Sequence, residues 1–188
     1  MDVPPELRSF DLRQILMDLV QLNILTPFGL SSQVVNVMVD ALTTERVTHA
    51  IVDEPSGRIL AMEHVGLKVS LDRELTAGKL ITKAINERAP IVLSNVRENP
   101  ELAAIWADDY RTNASAVFPL LYRDTVLGAL CLSNLTEEQV IGMQAQKIEL
   151  QLFVQIVSMF TALYILAAAR EGKTQLAELA DRLLALGY

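Results

Sequence analysis

The chain has 188 residues, of which 51% are hydrophobic and 21% are charged, and this is enough apolar material for one folded domain with its own core. Its 23 acidic and 16 basic residues give a net charge of −7, and the absence of any lysine or arginine run argues against direct binding to DNA or RNA. A single cysteine excludes an internal disulfide framework and a cysteine-cluster metal site, and the acidic, proline-bearing N-terminus differs from a secretory signal, so we expect a cytoplasmic protein.

Helical spacing of apolar residues predicts two helices in the first forty-odd residues. The first covers residues 6–25, and Pro27 and Gly29 follow it as breakers. Ser31 or Ser32 is the expected N-cap of the second helix, which places Val34, Val35 and Met38 on one face. We expect three parts: an N-terminal helix for packing or dimerisation (1–29), a main domain (30–170) and a short C-terminal amphipathic helix (171–188).

From residue 47 onward the pattern changes to short β-like runs. Residues 47–52 and 58–65 flank a turn-forming sequence and predict a hairpin. The expected elements that follow are an extended stretch at 68–74, a helix at 77–88, a strand at 91–93 and an irregular polar segment at 94–111.

A second hairpin is predicted at residues 116–133, where two apolar runs are joined by Arg123 and Asp124. Pro119 indicates a bulge or a position whose amide is not needed, and Gly128 indicates the close approach of another backbone. Thr136 to Gln139 form a capping-box sequence that opens a long helix to Arg170. A strand-rich middle with helices at both ends predicts an α+β fold with an antiparallel sheet.

Two segments resemble the GAF domain family. The first is the hairpin, read as Val117-Phe118-Pro119-Leu120, a turn, and Val126-Leu127-Gly128-Ala129-Leu130; the second is Ala89-Pro90-Ile91-Val92-Leu93 with the Asn95- and Asn99-containing loop after it. The resemblance covers roughly residues 30–168. It implies a PAS-related central antiparallel sheet of about six strands, with the N- and C-terminal helices on one face. A Roadblock-like fold is the alternative, but it is usually shorter and lacks the element at 89–100.

The apolar segment 150–169 has no charged residue over 20 positions, which is long enough for a membrane span. Gln144, Lys147, Gln151, Gln155 and Ser158 nevertheless follow helical steps of three and four, and this polar stripe favours a buried interface helix over a membrane span. The resemblance implies a homodimer through the terminal helices, for which the candidate contacts are Leu152, Phe153, Ile156, Val157, Phe160, Leu163 and Tyr164.

The resemblance also implies a small-molecule pocket that is partly roofed by the loop at 94–111. Its candidate ligand-binding residues are Arg97, Trp106, Tyr110 and Arg111, and Arg73 and Lys79 can add positive charge for an anionic ligand. A solvated loop held to the core by one aromatic side chain is the alternative.

No residue set predicts catalysis, a metal site or a cofactor. Cys131 lies mid-strand among apolar residues and is interpreted as packing, while methionine sulfoxide reductases of the GAF type work with several cysteines. Bilin-binding relatives use a cysteine near a histidine, and residues 94–113 contain neither. His49 and His64 are interpreted as ordinary strand positions.

The sequence therefore predicts a non-catalytic sensory or regulatory domain that dimerises, binds a small molecule and signals to a partner. The amphipathic segment 174–186 can pack back on the domain, extend the dimer or dock a protein partner. A structural interaction protein with the same fold and no ligand is the alternative. The sequence identifies neither the ligand nor the pathway.

Overall fold

A computed structural model describes residues 29–42, 44, 46–65, 80–104 and 111–186 of the chain. The predicted helix at 6–25 and the predicted extended stretch at 68–74 lie outside these residues. The strands are β1 Arg46–Asp53, β2 Arg58–Val65, β3 Ile91–Leu93, β4 Ala114–Tyr122 and β5 Thr125–Leu135. The helices are α1 Gly29–Leu42, α2 Leu80–Glu87, α3 Pro100–Ala103, α4 Glu137–Ala145, α5 Lys147–Arg170 and α6 Ala177–Ala185, and Val96–Glu98 and Thr174–Leu176 form 3₁₀ turns.

The described strands form one sheet in the order β2-β1-β5-β4-β3, and each neighbouring pair is antiparallel. Both predicted hairpins are present, as β1–β2 and β4–β5. The central β5 pairs with β1 on one side and β4 on the other, so the longest of the described strands lies in the middle of the sheet. The α+β class and the antiparallel sheet are confirmed.

In the β4–β5 hairpin, the structure accounts for the turn residue Arg123 and for Gly128, and it locates the bulge. Arg123 in the tight turn has a φ of 51°, in the left-handed region. A Cβ built on Gly128 would lie 1.8 Å from the carbonyl oxygen of Ala50 on β1, so only glycine fits where the two strands approach. The register with β5 shifts by one residue between Leu120 and Leu121, because Leu127 of β5 is an extra residue between their partners Gly128 and Val126, so the bulge lies on β5 and Pro119 is in regular register with Ala129.

Strand alternation gives the sheet two apolar faces. The helix face carries Val47, Ile51, Phe118 and Leu130, which pack with α1, α5 and α6 in the larger core. The other side, which we call the opposite face, carries residues that pack with α2 and with the segment after β3; these are Ala50, Val52, Val117, Val126 and Ala129, with Leu80, Ala84, Ile85, Val96 and Leu102.

The helix predicted from Thr136 to Arg170 is two helices, which corrects that prediction. Its start is as expected, because Thr136 and Gln139 bond each other's backbone N–H in a capping box (3.2 and 2.7 Å). Gln146 has φ −104° and ψ 40°, and this non-helical residue separates α4 from α5. The predicted cap of α1 is also wrong, since Ser31 and Ser32 lie within a helix that already includes Gly29.

Helix α6 packs back on the domain. Leu179 and Leu183 of this helix, and Leu176 in the 3₁₀ turn before it, are buried in the same core as α5. Arg182 forms an ion pair with Asp53 at the end of β1. Burial raises the pKa of Asp53, but hydrogen bonds from Ser56 and the charge and hydrogen bond of Arg182 outweigh it, so its pKa lies below the ordinary value. The amphipathic pattern of this segment therefore serves the chain's own core.

Candidate functional site

One end of the opposite face is polar. We call it the polar end: β1 and β4 begin there, and β2, β3 and β5 end there. Arg46 on β1 is directly across from Ser133 on β5, and Ser133 is across from Ser115 on β4. One step further along, Thr48 on β1 lies between His64 on β2 and Cys131 on β5. Alternation from Ala50 places these six side chains on the opposite face.

Arg46 is the unusual member of this group. Its side chain is a permanent cation, yet the residue is only 8% exposed. Ser115 is also buried and its hydroxyl donates to the Leu132 carbonyl (2.8 Å). The Nδ1 atom of His64 is buried without a hydrogen-bond partner among the described residues. The polar end thus combines a buried charge with hydroxyls and an imidazole.

The loops at the polar end carry two of the predicted ligand-binding residues. Arg97 lies in the 3₁₀ turn after β3, and its Nε donates to the Asn113 side chain (3.0 Å), which joins that turn to the start of β4. The Arg111 backbone N–H donates to the Asn134 side chain (2.9 Å), at the end of β5. Both residues are exposed at the same end of the sheet. Trp106, Tyr110, Arg73 and Lys79 lie outside the described residues.

Arg46, Thr48 and Ser133 were missed by the sequence analysis. The first strand was predicted to begin at Val47, which left Arg46 outside it. The available signal was the period-two alternation of Arg46, Thr48 and Ala50, which places all three on one face of β1. Sequence alone does not say that Ser133 and Ser115 lie across from Arg46, because that depends on strand register.

The two histidines do not form a site together, because they lie on different faces. His49 is on the helix face and fully buried. The Thr161 hydroxyl donates to the Val157 carbonyl (2.8 Å), so it accepts a hydrogen bond from His49 Nε2–H (3.0 Å). Burial lowers the pKa of His49 to about 4, so its imidazole is neutral at pH 7. Among the described residues, no group of three or more His, Cys, Asp or Glu side chains could hold a metal ion.

Cys131 is partly buried on the opposite face, between Thr48 and Val117 in register. Burial raises the pKa of its thiol to about 12, so the protonated form predominates at neutral pH. A protonated thiol is a poor nucleophile, and the interpretation of this cysteine as a packing residue fits its surroundings.

Helix α5 divides the seven predicted dimer-contact residues by exposure. Leu152 and Leu163 are 46% exposed, and Ile156 and Phe160 are half-buried. Phe153, Val157 and Tyr164 are buried in the chain's own core. These three side chains lie within the domain's own core, so the residues of this set that are available to a second subunit are the outward ones, and the dimer contacts themselves stay a prediction.

The polar stripe predicted along this helix also needs a correction at one position. Gln144, Lys147, Gln151 and Gln155 are exposed as expected, but Ser158 is buried. The Ser158 hydroxyl donates to the Val154 carbonyl (2.8 Å) and accepts from the Leu121 N–H (3.2 Å). It therefore supplies a partner to a β4 amide that lies across from the β5 bulge.

By length and composition, α5 is the one helix in the described parts of the chain that could cross a membrane. Nine of its residues are nevertheless buried within the domain, and its inner side is bonded to β1 and β4. The core helix of a water-exposed domain has the same composition.

Comparison with known proteins identifies the fold. The family model described as GAF domain matches residues 30–165. A similar structure is the GAF domain from Acinetobacter phosphoenolpyruvate-protein phosphotransferase, with a TM-score of 0.59 and 21% identity over 80% of this chain and 90% of that chain. No curated protein matches the chain.

Two further structures have the same fold. One is the free methionine-R-sulfoxide reductase from Neisseria meningitidis in complex with its substrate, with a TM-score of 0.63 and 14% identity over 86% of this chain and 93% of that chain. The other is residues 122 to 287 of a methyl-accepting chemotaxis protein, with a TM-score of 0.57 and 18% identity over 81% of this chain and 96% of that chain. At these identities the similarity establishes the fold alone.

Proposed function

Because the chain belongs to the GAF domain family, whose members are commonly sensory or regulatory domains, we propose that it is a cytoplasmic, non-catalytic regulatory domain. In this proposal it forms a homodimer through α5, binds a small molecule on the opposite face of the sheet and signals to a partner protein. The observation that carries the proposal is the two-sided character of α5, whose inner side is bonded to the sheet and whose outer side is apolar and exposed.

The outer side of α5 has the spacing of a coiled-coil seam. Its apolar residues follow steps of four, three, four and three, and they are Leu152, Ile156, Met159, Leu163 and Leu166; we call this set the α5 stripe. Leu152, Met159 and Leu163 are 44–46% exposed. Because a 4-3 repeat keeps an apolar seam facing a neighbouring helix, pairing with the same stripe of a second copy covers these side chains.

The residues beside the α5 stripe favour a protein partner over lipid. Gln151 and Gln155 are exposed next to the stripe, and amide side chains gain nothing from contact with hydrocarbon. At the rim of a helix pair the same side chains remain in water. A dimer helix in a cytoplasmic domain therefore accounts for both the apolar and the polar parts of the surface.

The inner side of α5 gives a physical route for a signal. Thr161 bonds His49 on β1, and Ser158 bonds the Leu121 amide on β4. These contacts tie the helix to the two strands that flank β5. A ligand that shifts β1 or β4 would change the packing of α5, and through the α5 stripe it would change the geometry of the dimer.

The lack of an activated nucleophile among the residues that the structure describes supports a non-catalytic role. The one thiol is Cys131, whose pKa burial raises to about 12, and His49 is a neutral, buried side chain on the other face of the sheet. We expect no reduction of free methionine-R-sulfoxide above the buffer rate when the purified chain is supplied with dithiothreitol. Turnover that Cys131→Ser abolishes would overturn this part of the proposal.

Light scattering after gel filtration without detergent tests the dimer. We expect the wild-type chain at micromolar concentration to elute at twice its mass of 20.8 kDa. The double variant L152E/L163E should elute as a folded monomer, because two charges per chain would be buried in the seam. Gln151→Glu is the matched control, since it adds a charge to the same helix off the stripe. A monomeric wild-type chain would contradict the proposed dimer. Insolubility of the wild-type chain without detergent would contradict the interpretation of α5 as a dimer helix and would favour a membrane span.

Native mass spectrometry separates the regulatory domain from the ligand-free scaffold. A mass excess that denaturation releases supports a small-molecule ligand. A dimer mass without excess, together with no saturable ligand in a metabolite screen, supports the ligand-free scaffold. The apolar packing of α2 on part of the opposite face favours this alternative, because it fills part of the space that a ligand would need.

A further inference from the structure

We propose that the polar end of the opposite face binds a small organic anion, with the Arg46 guanidinium as its charged anchor. This inference rests on the proposed ligand-binding function and names the chemical class of the ligand. The shared chemistry is an oxyanion, either a carboxylate or a phosphate group, on a molecule small enough for one end of the sheet.

The first support is the position of Arg46. It is the first residue of β1, it is 8% exposed, and its strand partner is Ser133. A guanidinium stays protonated at every physiological pH and has five N–H donors in a planar fork. This planar donor geometry matches the two oxygens of a carboxylate or phosphate group.

The second support is the set of neutral polar groups beside Arg46. Thr48, two residues along the same strand, and Ser133, across from Arg46, both carry hydroxyls that can donate to an oxyanion. His64 lies across from Thr48, and its Nδ1 is buried without a hydrogen-bond partner among the described residues. Unmet hydrogen-bonding capacity beside a buried cation is what a polar ligand satisfies.

The third support is the charge at the rim of the polar end. Arg97 and Arg111 lie in the loops that meet there, so three arginine residues, counting Arg46, belong to one end of the sheet in a chain whose net charge is −7. The described carboxylates of the same loops are Glu98, which accepts from Asn95 (3.1 Å), and Glu101 on α3; both are exposed. Asp108 and Asp109 belong to the same connection and lie outside the described residues. The exposed rim is mixed in sign, and the buried anchor is positive.

Nuclear magnetic resonance titration of the full-length ¹⁵N-labelled chain tests the site. Sodium phosphate and sodium succinate are the two probes, and sodium chloride at equal ionic strength is the reference. We expect saturable shifts of the Thr48, Ser115 and Ser133 amides with at least one probe and none with chloride. Saturation by phosphate alone assigns a phosphate ligand, and saturation by succinate alone assigns a carboxylate. Saturation by neither probe overturns the proposal.

Substitution of the anchor links the shifts to Arg46. Arg46→Gln should weaken binding of the effective probe about tenfold or more, since a charge-assisted hydrogen bond is lost. Arg58→Gln is the matched control, because it removes the same charge from an exposed position at the other end of the neighbouring strand and should bind as the wild type does. Equal weakening in both variants would mean a general charge effect and would contradict the site.

A second variant keeps the test valid where Arg46→Gln does not fold. Thr48→Val keeps the shape of the side chain and removes one hydroxyl, and we expect it to weaken binding about threefold to tenfold. If Arg46→Gln does not fold and Thr48→Val binds the probe with unchanged affinity, the amide chemical-shift changes would not be linked to any side chain of the polar end, and the proposal would be overturned. A neutral or cationic compound found by native mass spectrometry would overturn the anion class alone and leave the proposed regulatory function intact.

Discussion

Gly128 is the residue at which the central strands are in closest contact. Its missing side chain lets the Ala50 carbonyl lie where a Cβ would otherwise be, 1.8 Å from the built position. Because the obstructing atoms are backbone of β1, no side-chain rearrangement can make room. The β1–β5 pairing at the centre of the sheet therefore depends on this glycine.

We expect Gly128→Ala to lower the free energy of unfolding by more than about 3 kcal/mol, at the upper end of single substitutions. Gly142→Ala is the control, because that glycine is in α4 with open space around it, and alanine should raise stability by about 0.5–1 kcal/mol. Urea denaturation followed by circular dichroism measures both. A Gly128→Ala protein as stable as the wild type would contradict the backbone contact.

His49 is a neutral imidazole that joins β1 to α5. Its pKa is about 4 in the folded chain and 6.5 in the unfolded chain. As the pH falls below 6.5, the unfolded state binds a proton before the folded state does, so the free energy of unfolding decreases until the pH reaches about 4.

We expect this residue to cost the wild-type chain up to roughly 3 kcal/mol of stability between pH 7 and pH 4. His49→Gln should remove that part of the pH dependence, whereas His64→Gln should keep it. Urea denaturation at intervals across this pH range measures the difference in slope. An identical slope in His49→Gln and the wild type would show that His49 titrates normally.

At the scale of elements, α5 and β4 are coupled by one hydroxyl beside the β5 bulge. The extra residue Leu127 on β5 shifts the strand register opposite Leu121, and the Leu121 N–H donates to Ser158 on the helix (3.2 Å). A buried amide without a partner is costly, so the serine both satisfies the strand and fixes the helix position.

Ser158→Ala should lower the free energy of unfolding by about 1–3 kcal/mol, because the Leu121 amide loses its partner. Hydrogen exchange at Leu121 should become faster by about one to two orders of magnitude. Gln155→Ala, on the exposed side of the same helix, should change stability by less than about 0.5 kcal/mol. Unchanged exchange at Leu121 in Ser158→Ala would mean that another group satisfies the amide.

At the scale of the whole molecule, α6 closes the core over α5 and the end of β1. Leu176, Leu179 and Leu183 belong to the same core as Phe153. The Arg182–Asp53 ion pair holds the helix at the β1 turn. Removal of residues 171–188 would therefore expose core, and a loss of partner capture by such a truncation would not by itself identify a docking surface.

Two adjacent leucines in α6 provide a sharper test of this packing. Leu183 is fully buried and Leu184 is 46% exposed. Leu183→Ala should cost about 2–5 kcal/mol, and Leu184→Ala less than about 0.5 kcal/mol. Similar losses in the two variants, measured by urea denaturation, would mean that the helix does not pack as described. Loss of partner capture by Leu184→Ala alone would favour docking on the outer side of α6.

The sequence by itself determined the elements and the family. Alternation identified both hairpins, Gly128 signalled a close backbone approach, and the Thr136 capping box marked the start of a helix. These features depend on residues close together in the chain, so their physical causes can be read locally. The same local patterns were sufficient to recognise a GAF domain, and the family match at 30–165 confirmed it.

The tertiary structure alone decided which surfaces are available for function. In a helix as apolar as α5, every side can be buried, so periodicity did not separate Phe153, Val157 and Tyr164 in the core from Leu152 and Leu163 on the surface. Arg46 likewise depends on its surroundings, because only the register between β1, β5 and β4 brings it beside Ser133 and Ser115. Burial and strand register are properties of contacts between distant parts of the chain, and local patterns do not contain them.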